Sequence, residues 1–314
     1  MAGGTEKRSA ASATSTSSRP LKVAKSPGWA SKLGVFDLMK PNERATALGS
    51  DTGFCVAENI TLSDFHNKCD DIEHGKKCTD LESRLCFHME FIDGKAWIYE
   101  IPHAAHDRAA GEVVDEIMSG LGGHRRDFFK ASSPRCDNNN VNESYEPDGS
   151  VVKRLQRPGA GQPGAADATG NRFPNIIVEV AFIETESHVR RKAVKWLNAS
   201  NDPNFAVQQV IVIKIGKDPR PTRGNTRAME AWQYEQAVSP AVNHYDNVAS
   251  HFVFGVPRFD RPPPSNNVGV TFPNQMVLQI PSTSFYHPAN PPAGVPPVID
   301  VDLFYIRRAI EESF

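Results

Sequence analysis

Residues 176 to 183 read IIVEVAFI, an apolar run interrupted only by Glu179. A strand apolar on both faces has no side to give to water, so it belongs inside a sheet covered on both sides. That requirement asks the rest of the chain for helices that can layer against the sheet. It also leaves a carboxylate in the driest strand of the chain, where an unpaired charge is very costly. A proton, a basic partner or a metal ion would each relieve the cost.

The flanking sequence supplies the layers. Residues 104 to 121 carry Ala105, Ala109, Val113, Ile117 and Leu121 at four-residue intervals, the stripe of an amphipathic helix that Gly122 can stop. A second helix is predicted over 186 to 198, with Val189, Ala193, Trp196 and Leu197 as its buried stripe. A further buried strand is predicted over 206 to 215 (AVQQVIVIKI). Upstream, residues 88 to 92 and 95 to 99 flank Asp93-Gly94, a strong hairpin signal. Short strands are expected near 250–255 and 269–280, and a last helix over 301–312. The fold class is therefore α/β, a mixed sheet flanked by helices with extra β structure at the C-terminal end. Residues 1–35 are rich in Ser, Ala and Thr with scattered Lys and Arg, and read as a disordered basic tail. Residues 36–314 read as a single domain in which the Gly-, Ala- and Pro-rich stretch 156–172 is a loop insertion.

The net charge of −2 steers no polyanion, so a nucleic-acid site would need a local basic patch. Five cysteines without C-x-x-C spacing argue against a zinc site or a disulfide framework. No apolar run is long enough to span a membrane and no secretory signal is visible, so a cytoplasmic or nuclear setting is expected. G-x-S-x-G, H-E-x-x-H and P-loop motifs are absent.

Glu179 needs a partner from outside its strand. Asp148, in the run EPDGSVV, is the candidate for a shared site, and two carboxylates brought together call for a raised pKa or a bound cation. Hard oxygen ligands select Mg²⁺ or Mn²⁺. Strand alternation puts Glu179 and Ala181 on one face and Val180 on the other. On the following helix, Arg190 and Lys192 flank the buried stripe on opposite sides, and either can reach back to the sheet. Lys195 points away and reads as solvated. A desolvated lysine, its pKa lowered, suits the handling of a water; arginine can only clamp phosphate.

This arrangement resembles the PD-(D/E)XK nuclease superfamily, and within it a restriction endonuclease family. The residues that carry the likeness are Pro147-Asp148; then Pro174-Asn175-Ile176-Ile177-Val178-Glu179-Val180; then Glu184-Thr185-Glu186, Lys192 and Trp196. Upstream, Glu90-Phe91-Ile92-Asp93-Gly94 and His106 resemble the family's E-x-x-D-G hairpin and helix-opening histidine. Val301 to Ile306 resembles its terminal segment. The resemblance implies a restriction endonuclease-like fold and an Mg²⁺-dependent endonuclease that hydrolyses phosphodiesters. It implies Asp148 and Glu179 as metal ligands, with the Val180 carbonyl in the shell, Lys192 positioning the attacking water, and Glu90 supporting the metal or the lysine. The implied partner is nucleic acid, DNA in the first place, and a homodimer is admitted. The strand VQQVIVIKI lacks the family's usual ending, so a catalytically inactive module that binds nucleic acid or protein is the alternative.

Plainer readings stand beside these. Glu179 can pair with Arg190 or Lys192 without a metal. Asp148 sits in a P-D-G turn signature. Glu90 can face solvent from its hairpin. His103 and His106 read as capping or packing residues, and His188 as a cap or surface residue. The run His124 to Lys130 reads as a solvated charge run after a helix end, rather than a nucleic-acid surface.

Overall fold

The computed structural model describes residues 53–73, 89–99, 103–131, 136–138, 143–154, 173–199, 207–216, 227–236, 248–256 and 269–314. The predicted tail 1–35 and the predicted loop 156–172 lie outside the described residues.

Six strands form the main sheet: β4 (Phe128–Ala131), β7 (Gly149–Lys153), β8 (Ile176–Ala181), β9 (Gln209–Ile215), β10 (Met229–Glu235) and β11 (Val248–Val253). Their spatial order is β11-β10-β9-β8-β7-β4. Only β8 and β9 run parallel, and helix α3 (Glu186–Leu197) makes the crossover such a pair requires. The sheet is mixed because every other neighbour pairs antiparallel.

The two faces of β8 explain its apolar run. Ile176, Val178 and Val180 pack into one core with Ala105, Ala109, Val113, Ile117 and Leu121 of the segment that forms helix α2 (Ala104–Gly120) and its cap. Ile177 and Ala181 pack on the other side against Val189, Ala193, Trp196 and Leu197 of α3. Both helical stripes read from the sequence are buried as expected. Glu179 falls on the α3 face with Ile177 and Ala181, and this is what lets α3 partner it.

The hairpin is present: β2 (Met89–Ile92) and β3 (Lys95–Ile98) pair around Asp93 and Gly94, both at positive φ (50° and 74°). It belongs to a second, antiparallel sheet of order β1-β3-β2-β6-β5, with β1 at Phe54–Glu58, β5 at Cys136–Asn138 and β6 at Glu143–Tyr145. Helix α1 (Leu62–Glu73) packs there through Phe65 and Cys69.

At the C-terminal end, β12 (Val277–Pro281) pairs with β13 (Val298–Asp302), and short helix α4 (Ser282–Tyr286) follows β12. The last helix, α5, spans Leu303–Glu311 and not 301–312. Val301 is held extended opposite Leu278, and the Asp302 carboxylate caps the helix by accepting from the Phe304 N–H. No described helix is long and apolar enough to cross a membrane.

Candidate active site

Strand pairing sets the first two acids. Gly149 lies opposite Val178 in the antiparallel β7–β8 pair, so the same register places Asp148 across from Glu179. The Asp148 side chain turns onto β8, where Oδ2 accepts the Val180 N–H at 2.6 Å. Its Oδ1 lies 3.3 Å from His106 Nε2, and His106 Nδ1 lies 3.0 Å from Asp107 Oδ1. His106 is buried on α2 and ties Asp148 to that helix.

Glu179 is fully buried. Its Oε1 accepts the indole N–H of Trp196 at 2.5 Å. Its Oε2 stands 2.9 Å from the Lys192 ammonium, with no other donor among the described residues. Lys192 also lies 3.1 Å from Oε1 of Glu90, which β2 carries in from the other sheet. Glu90 is 4% exposed and does not face solvent. The choice between Arg190 and Lys192 is resolved: Lys192 is buried between the two glutamates, while Arg190 donates to Tyr234 Oη at 2.7 Å and pairs with Glu186.

The charges are unbalanced. Burial pushes the Glu179 carboxyl well above the usual carboxylate range; Lys192 pulls it back and the charge of Asp148 pushes it up again. Burial works to lower the Lys192 pKa, but Glu179, Glu90 and Asp148 outweigh it, and the ammonium is held well above its ordinary value. This direction is opposite to the sequence expectation of a lysine whose pKa is lowered by desolvation. Among these groups, Glu90, Asp148 and Glu179 face one lysine and two histidines, His106 and His188.

Several neighbours were read differently from the sequence or not at all. His188 is buried, hydrogen-bonded to Glu184 and stacked on Tyr99 with ring centroids 3.7 Å apart; its Nε2 lies 4.0 Å from Glu90 Oε2. Lys195 is not simply solvated: it donates to Glu143 at 3.1 Å and to Tyr145 Oη at 2.7 Å. Tyr145 in turn packs against Trp196 at 5.8 Å. A sequence signal existed, since Glu184, His188, Lys192 and Trp196 recur every four residues along one stripe. His103 caps α2 by accepting from the Ala105 N–H, as the plainer reading had it.

The cluster opens at Asp148 into a cleft of about 540 Å³ between α2 and strands β4 and β7, lined among others by His106, Asp115, Lys130 and Gly149. Among the described residues no set of three or more His, Cys, Asp or Glu side chains converges to hold a metal ion. The donor chemistry still suits a hard divalent cation. Asp148 and Glu179 face each other across one strand pair, and Glu179 Oε2 is a buried carboxylate oxygen whose one donor among the described residues is the Lys192 ammonium. A cation there would offset the excess of negative charge.

A family model, Uma2, described as "Putative restriction endonuclease", matches residues 80–200. No curated protein matches the chain. The matched segment contains Glu90, His106, Asp148, Glu179, His188, Lys192 and Trp196. Over residues 80–200 the chain is therefore similar to the Uma2 family, in the segment that holds the whole buried cluster.

Proposed function

We propose that the chain is a metal-dependent nuclease that hydrolyses phosphodiester bonds of nucleic acid, DNA in the first place, using Mg²⁺ or Mn²⁺. The observation that carries this reading is the meeting of Asp148 and Glu179 on adjacent strands with the Lys192 ammonium 2.9 Å from Glu179. Asp148 and Glu179 would hold the cation, with the Val180 carbonyl as the expected third ligand. The cation supplies charge neutralisation at the phosphate and a lowered pKa for a bound water.

The chain's own residues have separable tasks. His106 and the Val180 N–H hold the two oxygens of Asp148 in place. Trp196 fixes one oxygen of Glu179 and leaves the other directed at Lys192. Lys192, kept protonated by its acidic neighbours, donates hydrogen bonds and positive charge; it orients a water or phosphate oxygen and does not remove a proton. Glu90 anchors the ammonium from the opposite sheet. The assembly taken with this reading is a homodimer, whose two centres would address both strands; sedimentation velocity reads its mass.

A second reading, a catalytically silent module that binds nucleic acid or protein, is favoured by one feature: the Lys192 ammonium already fills the space between Glu179 and Glu90. Incubation of plasmid and oligonucleotides with Mg²⁺ or Mn²⁺ separates the two. The parent chain should cleave, and Asp148→Ala and Glu179→Ala should each lose about a hundredfold or more, the equivalent of a few kcal/mol of charge stabilisation. Equal activity in all three chains rejects the assigned roles. Metal and nucleic-acid binding by a parent chain that cuts nothing favours the silent module.

A further inference from the structure

Two distant segments build a basic corner at the edge of the main sheet. The short 3-10 helix Gly122–Asp127 follows α2 and leads into edge strand β4. Pairing of Phe128 with Lys153 brings the far end of β7 beside it. The Arg154 N–H then donates to the Asp127 carbonyl at 2.6 Å, and its Nε donates to the Phe128 carbonyl at 2.9 Å. Arg125, Arg126, Lys153 and Arg154 thus share one corner with Asp127, and Lys130 stands further along β4 beside Asp115 and Glu112. Arg125 and Arg126 are exposed and have no ion-pair or hydrogen-bond partner among the described residues. Lys130 pairs with Asp115, but both side chains are at least half exposed, and a pair of that kind is weak enough for an anion to displace. Lys153 is committed to the Tyr286 carbonyl at 3.3 Å, and Asp127 is engaged by Tyr286 Oη at 3.1 Å.

The corner is continuous with the cleft, because Lys130 lines the cleft that ends at Asp148. Strand β7 connects the two ends. From Asp148 to Lys153 is five residues, about 17 Å at ~3.4 Å per residue.

We propose that this corner is the docking surface for the phosphate backbone of nucleic acid, holding a strand that continues along β7 toward Asp148. The polymer's identity rests on the function proposed above. Charge complementarity carries the surface itself: Arg125, Arg126, Lys153 and Arg154 gather around Asp127 at the far end of β7, while Lys130 at the cleft stands among Asp107, Asp115 and Asp148.

The test is fluorescence anisotropy of labelled oligonucleotides with the full chain in EDTA, so that binding is read without cleavage. Arg125→Ala/Arg126→Ala should weaken binding and reduce the salt slope by about 1.4, at ~0.7 per single-strand phosphate contact. Between about 50 and 200 mM salt the double variant should then lose about sevenfold less affinity than the parent. Arg125→Lys/Arg126→Lys should retain the parent slope, and so should Arg308→Ala, which removes an equally exposed arginine from α5. Unchanged affinity and slope in the double alanine variant, or no binding by the parent, overturns the proposal. So does equal competition by polyglutamate, which would mark an acidic protein partner instead. Cleavage that persists while the arginine variants behave as the parent sinks the surface and leaves the hydrolytic reading. Arginine-dependent binding without cleavage does the reverse.

Discussion

Replacing Lys192 by Met removes the one ammonium that serves two buried carboxylates. Glu179 is 0% and Glu90 4% exposed, and Lys192 lies 2.9 and 3.1 Å from them. Met fills much of the same volume, so the change is electrostatic more than steric. Taking one partner out of a buried ion pair costs about 3–5 kcal/mol, because the remaining charge stays desolvated. Against a total stability of about 5–15 kcal/mol this is a large fraction. The loss should be read by urea unfolding followed by far-ultraviolet circular dichroism at neutral pH. It should shrink as the pH falls, since a proton on Glu179 can replace the ammonium, and it should shrink again in Glu179→Gln/Lys192→Met. A loss below about 1 kcal/mol, the range of an exposed pair, would refute the reasoning.

Two further expectations come from the same cluster. Trp196→Phe keeps an aromatic ring against Tyr145 but deletes the 2.5 Å indole hydrogen bond to Glu179, at a cost of about 1.5–3 kcal/mol in the unfolding free energy read by urea. The pH response has a definite sign. The folded Glu179 pKa is raised above its usual 4.5, so the stability its proton confers is complete below that value and is lost as pH rises through the folded value. Lys192 is raised above 10.5, so its own contribution is lost only in stronger alkali. Melting temperature without metal should therefore fall as pH rises above about 4.5, and Mg²⁺ should restore more of it at the higher pH.

The parts of this arrangement that repeat with a period were legible in the sequence. The stripes of α2 and α3 and the doubly apolar β8 follow from local pattern, and each is buried on the predicted face. Glu179 stood out because it broke such a pattern. Strand β10 (MEAWQYE) did not stand out, because Glu230 and Gln233 interrupt its apolar alternation; their cost is met across the sheet by His251 and Ser250. The start of the last helix was misplaced because Val301 is claimed by pairing with β12, which local propensity cannot register. The same limit hid the role of His106, whose Asp148 partner lies on another strand, and the approach of Arg154 to Asp127. Lys192 and Arg190 were equivalent by helical angle; only the position of β2, carrying Glu90 to one flank of α3, separates them.

Isothermal titration of Mn²⁺ into the parent chain and into Asp148→Asn and Glu179→Gln goes straight to the shared acidic pair. The account predicts saturable binding by the parent that each single substitution removes, with all three chains retaining their circular dichroism. Identical titrations in the three chains, or none in the parent, would contradict it.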